Sequence, residues 1–136
     1  MIASLGMAEC SVYRKLKVAI FSTGDEVQAP GSQLKDNCIY DSNRYTLKGL
    51  LEQLGCEVMD LGILEDDQQI IMQALKDAGE NADAIITSGG VSVGDADYIK
   101  LALDALGQID FWRISMPPGR PLAFEKISDK PFSGLP

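Results

Sequence analysis

Ala84-Ile85-Ile86-Thr87 followed by Ser88-Gly89-Gly90-Val91-Ser92-Val93-Gly94-Asp95-Ala96-Asp97 and then by Tyr98 to Leu106 is the stretch that decides the fold. A short apolar run bounded by turn residues reads as a buried strand, and the glycine-rich segment reads as a loop. The last segment reads as a helix that stops at Gly107.

The same order recurs upstream. Lys17-Val18-Ala19-Ile20-Phe21 is a strand ended by the turn Ser22-Thr23-Gly24. Asp41 or Ser42 caps a helix with Leu47, Leu50, Leu51 and Leu54 at i, i+3, i+4, i+7 spacing, and Gly55 suits its C-terminal turn. Residues 56–63 give a second strand. Asp66 or Asp67 then caps a helix running through Ile70, Ile71, Ala74, Leu75 and Ala78 to Gly79. Ile109 to Ser115 reads as a fourth strand, and Leu122 to Lys126 can pair with Lys130 to Phe132 as a hairpin.

Strands alternating with helices predict an α/β fold with three layers: a mostly parallel sheet, right-handed crossovers, helices on both faces and an antiparallel hairpin at one edge. Residues 1–15 read as an entering linker and 16–136 as one domain. Val27 to Asn37, with Pro30 and Gly31, reads as an extended loop that folds over a ligand.

Composition narrows the function. The 136 residues carry a formal charge of −8 and no histidine. The charge disfavours a broad nucleic-acid face, although it also serves simple solubility, and an anionic small ligand stays possible where cations gather locally. Without histidine, Ser-His and Cys-His catalysis and imidazole ligation are excluded from the chain's own residues, so acid, base or metal work falls mainly to carboxylates. Cys10, Cys38 and Cys56 form neither an even set nor a CxxC pair, against disulfide and zinc frameworks, and Cys56 reads as core. No apolar run approaches the roughly 20 residues of a membrane span. The first residues lack a signal-peptide pattern, which predicts a cytoplasmic protein.

In an open parallel sheet, ligands bind beyond the carboxyl ends of the strands. Four segments fall there: residues 22–26, residues 65–67, residues 88–97 and residues 116–121. Gly89 and Gly90 leave backbone amides open to a phosphate at the following helix, or serve only the dihedrals of a tight turn. No GxxxxGK and no complete GxGxxG is present. Glu26, Asp66 and Asp97 can share a hard cation such as magnesium, with Asp25, Asp67 and Asp95 as neighbouring substitutes. Equally, Asp66 and Asp97 can be helix caps and Glu26 a solvated loop residue. Arg113 and Arg120 flank a turn stiffened by Pro117, Pro118 and Pro121, which suits an oxyanion clamp as well as ordinary surface pairing.

Residues 21–26 (Phe-Ser-Thr-Gly-Asp-Glu), Tyr40-Asp41-Ser42-Asn43, residues 88–98 and Pro118-Gly119-Arg120-Pro121 together resemble the molybdopterin-binding domain of the MoeA and gephyrin E-domain family, in consistent order from about Leu5 to Pro136. The resemblance implies a MogA-like fold and an enzyme of molybdenum cofactor biosynthesis that takes adenylylated molybdopterin and molybdate, inserts the metal at the dithiolene and releases AMP with magnesium present. It implies Glu26, Asp66 and Asp97 as catalytic acids, Asp66 and Asp97 also holding magnesium. It further implies Thr23, Gly24, Asp25, Ser88, Gly89, Gly90, Ser92, Arg113, Arg120 and Pro121 as substrate-binding residues.

Pro117 departs from the family's basic or polar residue at that place, which removes one expected anion ligand. The family's chain also extends beyond both ends of this match, so the domain alone is expected to lack transferase activity and the longer protein to form a homodimer. Two other readings share the fold: a MogA or MoaB-type molybdopterin adenylyltransferase using ATP, and a non-catalytic scaffold.

Overall fold

The computed structural model describes residues 2–90, 98–106 and 122–135. Strand β1 (Lys17–Thr23) sits inside the sheet and is buried from Val18 through Thr23. A strand covered on both faces has no need of alternation, which is why its sequence is a continuous apolar run. Strands β4 (Glu57–Leu64) and β5 (Ala84–Ser88) pair with it in parallel, one on each side. The five-stranded order is β4-β1-β5-β7-β6; β7 (Lys130–Leu135) is parallel to β5 and β6 (Ala123–Ile127) antiparallel to β7 at the edge. The expected mixed edge is therefore present. Its turn places Ser128 (φ 49°) and Asp129 (φ 65°) in the left-handed region, as a two-residue hairpin turn requires.

Helices cover both faces. On one, Ile71, Leu75 and Ala78 of α2 (Gln68–Asn81) and Ile99, Ala102 and Leu103 of α3 (Tyr98–Leu106) pack with Ala19, Phe21, Ile85, Ile127 and Phe132. On the other, Leu51 of α1 (Asn43–Gln53) meets Val18 and Ile20, with Cys56, Val58, Ala84 and Ile86 alongside. Cys56 is partly buried against this second cluster.

Several boundaries differ from the sequence reading. Strand β1 continues through Ser22 and Thr23, which were expected to turn, because both remain in register with Ser88 or Leu64. In α1, Leu50 is 53% and Leu54 79% exposed, so only part of the expected apolar stripe reaches the core. The inward face starts instead at Arg44, one heptad before Leu51. Its end is as expected: Gly55 (φ 82°) donates to the Glu52 carbonyl and Cys56 to the Leu51 carbonyl, both at 3.0 Å, closing a Schellman turn.

Helix α2 runs past Gly79 to Asn81. A Cβ at Gly79 would lie 3.4 Å from Ser128 Oγ, so this glycine serves close packing against the β6–β7 turn and does not end the helix. The expected strand over 109–115 lies outside the described residues. Residues 2–16 are exposed throughout, with one 3-10 turn over Ala3–Leu5. No helix among the described residues is long and apolar enough to cross a membrane.

Candidate functional site

Beyond the carboxyl ends of β1 and β5 lies a cleft of roughly 200 Å³, lined by Ser22, Thr23, Glu26, Val27, Ile39, Tyr40, Asp41, Ser42, Asn43, Ser88 and Gly89. Its floor forms because Ser22 and Ser88 are register partners on neighbouring parallel strands. Its wall is the segment expected to be an open loop. There β2 (Val27–Gln28) pairs in parallel with β3 (Ile39–Tyr40), fixed by Ile39 N donating to the Glu26 carbonyl at 2.7 Å and Asp41 N to the Gln28 carbonyl at 2.9 Å. The Gln28 amide donates to Ser32 Oγ at 2.6 Å and to the Gln33 carbonyl at 2.7 Å, and Tyr40 Oη donates to the Ser32 carbonyl at 2.8 Å. The loop between them is thereby tied to the wall.

Glycines set the backbone at the rim. Gly89 (φ 87°) passes so close to β1 that a Cβ would stand 2.6 Å from the Thr23 carbonyl oxygen. At Gly90 (φ 68°) a Cβ would meet Ile99 Cδ1 at 2.5 Å and Thr23 Oγ1 at 2.7 Å. Both demands, dihedral and clearance, are met by glycine alone. The Gly89 N–H donates to the Leu135 carbonyl at 3.0 Å and is not free for a ligand. Gly24 (φ 131°) leaves room for the Glu26 carboxylate, whose oxygens lie 2.9 Å from where a Cβ would be.

Behind the cleft is a buried charge network that the sequence reading did not find. Asp41 Oδ1 accepts from Ser22 Oγ at 3.1 Å and from Arg44 N at 3.2 Å, and its Oδ2 accepts from Arg44 Nε at 2.7 Å. Arg44 Nη1 reaches Asp60 Oδ1, which also accepts from Gly62 N. The Asp41 and Arg44 side chains are 2% and 8% exposed, so this is an interior ion pair with its hydrogen bonds made. Burial opposes the Arg44 charge, yet hydrogen bonds to Asp41 and Asp60 outweigh it and raise its pKa above the ordinary value. The signals were an acid and an arginine three apart at a helix start, and an aspartate two residues before a glycine inside a strand.

Of the residues singled out from sequence, Thr23, Glu26, Ser88 and Gly89 line the cleft, and Gly24 and Gly90 shape its rim. Asp25 is exposed and Asp66 partly so, and neither is among the lining residues. Asp67, not Asp66, caps α2, accepting from Gln69 N at 2.8 Å and Ile70 N at 3.0 Å. Ser92, Asp95, Asp97, Arg113, Arg120 and Pro121 lie outside the described residues. Glu26 offers the hard oxygen donors that magnesium prefers. Among the described residues, however, no three His, Cys, Asp or Glu side chains converge.

Residues 19–136 match the family described as "Probable molybdopterin binding domain". The chain is 51% identical over 136 residues to the molybdopterin molybdenumtransferase of Haemophilus influenzae, covering 100% of this chain and 34% of that protein. It is 41% identical over 142 residues to the Nostoc protein of the same name, covering 99% of this chain and 33% of that one. A molybdopterin biosynthesis moeA protein of Pyrococcus horikosii superposes with a TM-score of 0.84 at 33% identity, over 99% of this chain and 33% of that one. This chain thus spans about a third of the length of these relatives. The fold, the cleft beyond the strand ends and the match over nearly the whole length agree, and the chain belongs to the molybdopterin-binding domain family.

Proposed function

We propose that this domain binds molybdopterin within a longer molybdopterin molybdenumtransferase, which inserts molybdate into adenylylated molybdopterin and releases AMP. The observation that carries the reading is the convergence of Ser22, Thr23 and Glu26, Tyr40 to Asn43, and Ser88 with Gly89 on one cleft at the strand ends. Three segments far apart in sequence meet where an open parallel sheet takes its ligands.

In this reading Glu26, Asp66 and Asp97 are the acids of the transfer reaction. Thr23, Gly24, Asp25, Ser88, Gly89, Gly90 and Ser92 border the ligand, and Arg113, Arg120 and Pro121 hold its anionic groups. Magnesium on Asp66 and Asp97 would neutralise phosphate charge. The longer protein acts as a cytoplasmic homodimer, and molybdate is its second substrate. The 51% identity to a transferase over the whole chain favours this reading over an adenylyltransferase.

Titration of the chain with molybdopterin tests the proposal. Saturable binding that weakens about tenfold or more in Glu26→Gln is expected, in line with loss of a charged hydrogen-bonding group. Absence of saturable binding would refute it.

A further inference from the structure

Hydrogen-bond polarity inside the cleft is fixed at one point. The Ser22 hydroxyl has a single proton, and it is donated to Asp41 Oδ1 at 3.1 Å. Asp41 cannot return a proton, since its oxygens accept from Arg44 N and Nε, and Arg44 is held in turn by Asp60. Ser22, a lining residue whose side chain is almost fully buried in the floor, therefore has lone pairs only to offer.

The surrounding charges point the same way. Glu26 is a second group that only accepts, and no lysine or arginine lines the cleft among the described residues. Arg44 lies behind the floor, matched by two aspartates. The Gly89 amide is taken by Leu135, and the Tyr40 hydroxyl proton by Ser32. At Ser22 and Glu26 a phosphate, which carries negative charge and only accepts at its oxygens, would meet acceptors, and the donors of the lining, the hydroxyls of Thr23, Ser42 and Ser88 and the Asn43 amide, are neutral.

We infer that Ser22 is a specificity-determining acceptor: the floor of this cleft receives the exocyclic amine of the ligand's pterin ring and not its phosphate. The inference rests on the pterin reading above and adds to it the orientation of the ligand. A pterin presents an exocyclic amine and a ring N–H, both donors. The matching lumazine carries a carbonyl in place of the amine, which turns a donor into an acceptor. A site built to accept rejects such an analogue because two acceptors are then left facing each other without a proton.

The probes are 6-hydroxymethylpterin and 6-hydroxymethyllumazine, titrated into the whole chain by calorimetry, with inorganic phosphate as competitor. The wild-type chain should bind the pterin about tenfold or more tightly than the lumazine, and phosphate should not displace it. Ser22→Ala should bring the two ligands to within about twofold, whereas Ser22→Thr, which keeps the hydroxyl, should preserve the discrimination. Equal affinities in the wild type, retained discrimination in Ser22→Ala, or displacement by phosphate would overturn this inference while leaving pterin binding standing. Failure to bind either pteridine would overturn the pterin reading and this inference with it.

Discussion

Arg44 brings a positive charge into the first turn of α1, where the helix dipole disfavours it, and does so at 8% side-chain exposure. It is retained there by Asp41 and Asp60, and through Asp41 it sets the direction of the Ser22 proton. Replacing Arg44 by methionine should preserve much of the side-chain volume yet leave Asp41 buried without its counterion. The expected loss is about 3–5 kcal/mol of stability, read from urea denaturation. A loss below about 1 kcal/mol would show that the network does not hold the floor. Arg44→Lys should recover only part of the loss, because an ammonium cannot reproduce a fork that reaches two carboxylates.

Among the elements, α2 gives the clearest test of which aspartate does what. Asp67 accepts from two backbone amides of the first turn, and Asp66 makes neither bond. Asp67→Ala should therefore cost about 1 kcal/mol, whereas Asp66→Ala should stay within about 0.5 kcal/mol. Equal losses in thermal or urea unfolding would contradict the assignment, and a neutral Asp66 leaves that carboxylate available for the proposed metal. In β4, pairing advances from Ile20↔Asp60 to Ser22↔Ile63, so β4 has one residue more than β1 across that interval. Gly62 (φ 80°) takes up the extra residue, and its N–H donates to Asp60, whose side chain also receives Arg44. The bulge thus belongs to the machinery of the cleft even though it sits on an edge strand.

Across the whole molecule, the entering segment is fastened to the sheet where Glu57 N donates to the Leu16 carbonyl at 2.8 Å and at a clasp on Asp83. Arg14 forms a two-pronged pair with Asp83 just before β5, and Lys17 N donates to the same carboxylate at 2.9 Å. The Arg14 hydrogen bonds, followed by the Lys17 amide, hold the Asp83 carboxyl far below the usual carboxylate range. A depressed folded value means that the stability from this contact is fully present above the unfolded pKa and is lost as pH falls through the lowered folded one. The Asp83 carboxyl resonance should thus stay flat by NMR from pH 7 down to about 4, where an ordinary aspartate is already about half protonated. Movement in that interval would show the clasp to be open in solution. The exposed pair contributes little to global stability, so its effect belongs to the position of residues 2–16.

The sequence by itself determined the α/β class, the three strands β1, β4 and β5, the three helices and the closing hairpin. Each of these is encoded locally by an apolar run, a 3.6-residue period, a cap or a turn. It also pointed to the strand ends where Thr23, Glu26, Ser88 and Gly89 line the cleft, because the ends of parallel strands are recognisable once the strands are.

Only the tertiary structure decided what stands opposite what. The β2–β3 pairing that brings Tyr40 and Asp41 beside Glu26 joins residues with no local pattern of their own. The inward turn of Arg44 at the expense of Leu50 and Leu54 depends on Asp41, three residues before it, and on Asp60 from β4. The direction of one serine proton follows from that network. Such long-range complementarity leaves no period in the sequence, since a buried charge is stable only where its partners happen to arrive.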